Sequence, residues 1–126
     1  MTIEAYDPFD LPDWLGTHHV SWQATSGLHD QPVVRGRLTS DEGDEIALDL
    51  LAVDAAYPRV ACPEDLRKAA HQAWHFGQVE LVVADGRVAA AVPGIGFDAN
   101  LACDVLIRLA KSVGAPSDHY TVSLAL

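Results

Sequence analysis

Lysine is nearly missing: two of 126 positions, Lys68 and Lys111, beside six arginines and eighteen acids. A chain with so few cations and a net charge of −10 has no basic stripe with which to neutralise a phosphate backbone, so no nucleic-acid partner is expected. The two cysteines, Cys62 and Cys103, form no Cys-x-x-Cys pair. That removes zinc-ribbon and dithiol redox chemistry, and two reduced, partly buried thiols are the expectation. No apolar run approaches the ~20 residues that span a bilayer, and Met1-Thr-Ile-Glu-Ala has no basic region ahead of an apolar one. Neither membrane helix nor signal peptide is expected, and the reading is a cytoplasmic protein. Scarce lysine with abundant alanine fits a high-GC bacterial genome.

The charge that is present lies unevenly. Residues 1–54 hold eleven acids and two arginines, a net of −9, whereas residues 55–126 hold seven acids and six basic residues, a net of −1. A field of this kind favours a basic protein or peptide as partner; the plain alternative is acidity that keeps a small protein soluble.

The hydropathy pattern predicts one domain over 17–126 behind an acidic, aromatic segment, 1–16. In that segment Tyr6, Phe9, Leu11, Trp14 and Leu15 alternate with Asp7, Asp10 and Asp13, and prolines limit any helix to a turn from Pro12 to Leu15. It either docks on a partner or folds back over the core. Strands are predicted at His18–Ala24, Val33–Leu38 and Ile46–Val53, the last apolar except for Asp49, which could face Arg35 or Arg37 on a solvated sheet face. Residues 25–32 and 54–62, with Tyr57-Pro58, read as connections. A helix follows from Pro63 to Phe76, with Leu66, Ala69, Ala70, Ala73, Trp74 and Phe76 as its apolar stripe and Gly77 as its stop.

Asp85-Gly86 between the runs Val79–Ala84 and Val88–Val92 is a strong hairpin signal, since a type I′ turn needs positive φ at both positions. Asp98 then caps a helix to Val113, with Ala102, Val105, Leu106, Leu109 and Val113 inward. Tyr120–Leu126 alternates as a closing strand. The fold class expected is α+β: a mainly antiparallel sheet in the order βββ-α-ββ-α-β, with both helices packed on one face.

Few residues offer chemistry. His71 and His75 have the i, i+4 spacing of a zinc-binding helix, but Gln72 stands where a metalloprotease keeps its glutamate, so only a metal-binding reading survives, with His18, His19, His119 or a carboxylate as the third ligand. The plain alternative is a pair of surface histidines. Asp41-Glu42-Gly43-Asp44-Glu45 breaks the order of a calcium loop. Gly94-Ile95-Gly96 lacks the third glycine of a dinucleotide turn, and Asp98 sits where a phosphate would. Ser117-Asp118-His119 has the residue types of a hydrolytic triad without the G-x-S-x-G elbow.

The hairpin from Glu80 to Val92 followed by the Phe97–Gly114 helix, behind three strands and a helix, is similar to the type III secretion chaperone-like fold. That resemblance implies a small, acidic, often dimeric protein that binds other proteins, and it brings no catalytic residue. The expectation is therefore a non-enzymatic protein-binding module, without cofactor and homodimeric in the manner of that fold, that meets a basic partner through Phe9, Trp14, Asp41, Glu42, Asp44 and Glu45. The alternative is a small-molecule or zinc protein centred on His71 and His75.

Overall fold

The computed structural model describes residues 2–28, 31–54 and 62–126. Eight strands form one mixed sheet: β1 (Ile3–Ala5), β2 (Val20–Ala24), β3 (Val33–Val34), β4 (Gly36–Ser40), β5 (Glu45–Ala52), β6 (Glu80–Ala84), β7 (Arg87–Val92) and β8 (Tyr120–Ser123). Three α-helices accompany them, α1 (Trp14–Thr17), α2 (Glu64–His75) and α3 (Ala99–Ser112), with 3₁₀ turns at Pro8–Asp10 and Ser117–His119. The strand order is β1-β6-β7-β5-β4-β2-β8, with β3 also on β5. The expected connection 54–62, with its Tyr57-Pro58, falls mostly outside the described residues.

Local chemistry gives the expected local structure. Asp85 and Gly86 take φ of 53° and 76° and close a two-residue turn that pairs Ala84 with Arg87. The Asp98 carboxylate accepts from the Leu101 N–H at 2.7 Å and starts α3. Gly77, at φ 74°, ends α2 as the Gln78 N–H returns to the Ala73 carbonyl at 2.8 Å.

The expected order βββ-α-ββ-α-β, a mainly antiparallel sheet with both helices on one face, is corrected in three respects. The described residues form eight strands and not six, because β1 precedes the first expected strand and a break at Arg35 divides the second into β3 and β4. Two of the seven strand pairings are parallel, β5 with β7 and β2 with β8. The helices also pack on opposite faces. On β5, Leu48, Leu50 and Ala52 join one cluster with Leu81, Ala90 and Val92 and with Ala102, Val105, Leu106 and Leu109 of α3. Their alternates Leu51 and Val53 join a second cluster with Val82, Ala84, Ala89 and Ala91 and with Leu66 and Ala70 of α2. Successive side chains on a strand point to opposite faces, so each helix covers its own side. The physical reason was present in the composition of β7: Ala89-Ala90-Ala91-Val92 has no polar position to face water, and a strand buried on both sides needs a cover on each.

Sequence position 1–16 supplies a strand and part of the core. Ile3–Ala5 pairs with β6, while Leu11 and Leu15 are buried in the first cluster. The apolar stripe of α2 is narrower than its sequence promised, because Phe76 lies outside it and is 68% exposed. Trp74, in the last turn, reaches the first cluster and carries the Arg108 guanidinium 3.4 Å from its ring centroid. Arg108 also donates to the Trp74 carbonyl at 2.6 Å, so one side chain of α3 fastens the end of α2.

The tail strand is tied down in the same way. The Tyr120 hydroxyl donates to the Leu15 carbonyl at 2.9 Å, and burial pushes its pKa up from 10 to about 12. Because the folded pKa is the higher one, the neutral phenol's contribution is fully present below pH 10 and is lost as pH rises from 10 towards 12. An alkaline titration followed by phenolate absorbance should show a late-ionising tyrosine, absent from Tyr120→Phe. The same substitution should lower stability by about 1 kcal/mol at neutral pH.

Candidate functional site

Beyond α2 one side of the sheet is polar, and no helix among the described residues covers it. Ser21, Gln23, Arg37, Thr39, Thr121 and Ser123 occupy neighbouring positions on β2, β4 and β8, with Val20, Trp22 and Leu38 turned the other way into the core. At one end of this face, β4 turns into β5 through Asp41–Asp44.

Ser40 organises that turn. It is 5% exposed, and its hydroxyl accepts from the N–H groups of Glu42 at 3.3 Å and Asp44 at 3.1 Å. The Ser40 N–H meets the Asp44 carbonyl at 2.7 Å, the Gly43 N–H meets the Ser40 carbonyl at 3.1 Å, and the Asp41 N–H meets the His19 carbonyl at 2.9 Å. Gly43 supplies the left-handed φ of 92° that the turn requires. A backbone bonded at so many points points Asp41, Glu42, Asp44 and Glu45 outward, and all four are exposed. His18, the residue after α1, stands against this group, with Nδ1 3.7 Å from Asp41 and Nε2 3.7 Å from Glu42. Glu45 lies 3.7 Å from Arg37. Ser40 was not singled out in the sequence; only its place before an acidic turn, where serine hydroxyls bond nearby N–H groups, marks it.

The aromatic residues assigned to the same surface divide. Phe9 is 95% exposed in the 3₁₀ turn ahead of α1, beside an open groove formed with Pro12, Gly16 and Val113. Trp14 is half-buried and packs on the first core cluster, so its ring serves the fold.

The described histidines fall in three separate places. His71 and His75 are exposed on α2, where the His75 ring meets Phe76 edge-on at 5.3 Å. The rings of His19 and His119 meet with centroids 4.4 Å apart and planes tilted by 41°, and His18 belongs to the acidic turn. Among the described residues, no three His, Cys, Asp or Glu side chains gather into a group that could hold a metal ion. Cys62 is buried and Cys103 exposed, both free; burial raises the Cys62 pKa.

The buried charge is elsewhere. Asp49 is 2% exposed and does not lie on a solvated face. Arg87 donates to it from Nε at 3.0 Å and Nη2 at 2.9 Å, and Arg35, one of the two arginines expected opposite it, stands only at 3.7 Å. The hydrogen bond to Asp49 raises the Arg87 pKa. Asp49 also accepts from the Gly36 N–H at 3.2 Å, and Arg87 donates to the Gly36 carbonyl at 3.1 Å. The pair therefore fills the gap at Arg35, where β3 gives way to β4. Every partner in this network belongs to the fold.

Comparison with protein-family models, with curated proteins and with solved structures finds no match in any of the three.

Proposed function

We propose that this protein is a non-enzymatic binding module, an adaptor, chaperone or regulator, that takes a basic segment of another protein on the acidic corner formed by Asp41, Glu42, Asp44 and Glu45. The observation that carries the reading is the turn organised by Ser40, which holds four exposed carboxylates in place through main-chain bonds. Carboxylates whose backbone is already ordered lose little further entropy when a cationic segment arrives. Their summed field also speeds encounter with that segment. Phe9, nearly bare on the segment that leads into α1, supplies an apolar anchor of the kind that sets register in protein recognition.

Binding to an array of equal-length peptides of graded net charge, at low and at high salt, tests this. Lysine- and arginine-rich peptides should bind, and binding should weaken steeply with salt. A variant with Asp41 and Asp44 changed to Asn, and Glu42 and Glu45 to Gln, should bind at least tenfold less tightly with a flatter salt response, while its thermal unfolding stays close to wild type because all four side chains are exposed. Binding that ignores peptide charge, or that survives the fourfold substitution, would overturn the reading.

A further inference from the structure

β8 is the last strand of the sheet and pairs on one side only, with β2. No strand among the described residues covers its other side. Natural proteins blunt such edges with charge, proline or a bulge. The opposite edge does so: Glu4 is exposed on β1, and Asp7-Pro8 follows. From Tyr120 to Leu126 there is neither a charged side chain nor a proline. An open cleft of about 410 Å³ runs beside this edge, lined by Cys103, Leu106 and Ile107 of α3 and by Tyr120, Thr121 and Val122 of β8, with Ser117 and Asp118 at its rim. Ile107 is 43% exposed and Leu126 80%.

We infer that this edge receives a second copy of the chain, with β8 pairing antiparallel to its counterpart about a two-fold axis normal to the sheet. Charge selects that occupant. Residues 99–126 hold two acids and two basic residues, so the whole net charge of −10 falls on residues 1–98. Two copies of a strongly acidic protein repel least where each is neutral, whereas a basic partner is drawn to the acidic corner. Symmetry supplies the rest. The axis brings both α3 helices to the same face of a continuous sheet, flank to flank, and an isologous contact covers each exposed Ile107 with the same patch of the second copy. Thr121 of β8 shares a shallow hollow with Asp41 of the acidic corner, but the inference uses the free edge of β8 and the α3 flank and needs none of the four carboxylates.

Sedimentation velocity of the purified protein over a micromolar concentration series tests it, together with cross-linking by a short bis-maleimide. Wild type should sediment as a dimer and cross-link through Cys103, the exposed one of the two free thiols. Ile107→Lys should weaken dimerisation at least tenfold with unchanged circular dichroism, and its thermal unfolding should match that of wild type diluted to monomer. Cys103→Lys, one helical turn earlier on the same flank, should do so independently. A wild-type monomer throughout the series, a dimer indifferent to both lysines, or a β8 edge occupied by a foreign peptide instead would each overturn the inference.

Discussion

Gly36→Ala is expected to lower folding stability by about 3 kcal/mol, the upper range for overpacking a core. An added Cβ would lie 2.4 Å from Cε2, Cζ2 and Nε1 of Trp22, inside any van der Waals contact. The indole has nowhere to retreat. Trp22 is completely buried, and its Nε1 donates to the Leu48 carbonyl at 2.9 Å, so a shift that admits the methyl also strains a buried hydrogen bond. The two residues are diagonal neighbours across β2 and β4, Gly36 pairing with Ala24 and Trp22 with Leu38. Chemical denaturation of Gly36→Ala, Trp22→Phe and the double variant measures the effect. The smaller ring should relieve the clash, so the double variant should be more stable than the sum of the single losses by about 1 kcal/mol or more. Additive losses would mean that the alanine acts through the backbone alone.

Arg87→Met should cost about as much, roughly 3 kcal/mol, because it strands a buried carboxylate. For an ordinary buried ion pair, replacing both members with apolar residues restores most of the loss. Here it should not. Gly36 is itself buried, and its N–H and carbonyl are bonded by Asp49 and Arg87 respectively. An Asp49→Leu, Arg87→Met double variant removes the charges and leaves both main-chain groups without those partners, at about 1–3 kcal/mol for each buried group left unsatisfied. The double variant should therefore remain about 2 kcal/mol or more below wild type in equilibrium unfolding. Full recovery would show that water or a backbone shift satisfies Gly36.

These two sites mark where the sequence was readable and where it was not. The Asp85-Gly86 turn, the Asp98 cap, the inward stripe of α3 and the alternation of β2 are short-range chemistry, written within a few residues of where they act. The arginine that meets Asp49 is a matter of sheet order, since Arg87 comes from a hairpin 38 residues further along. Strand register therefore chose between Arg35, Arg37 and Arg87, and register is a property of the assembled sheet. β1 escaped notice because three residues, Ile3–Ala5, are too few to show a period. The cover on both faces could have been read from the unbroken apolar run of β7. Among the proposed contact residues, Asp41, Glu42, Asp44, Glu45 and Phe9 are exposed, while Trp14 looked equally available in the sequence and is half-buried because α1 folds back on the core.

The sheet closes its two edges with the first and last of the described strands. β1 pairs with β6 about 80 residues away in sequence, and β8 pairs with β2 about 100 residues away. Contacts between such distant segments are slow to form, because the loop entropy is lost before the pairing is gained. Three- and four-residue strands, held on one side only within a single copy, also open at far smaller free energy than the doubly buried β5 and β7. In native-state amide exchange the sheet should thus unfasten from the β1 margin inward, joined by β8 only at dilutions where no second copy sits on its edge, with β5 and β7 releasing their protons only on global unfolding.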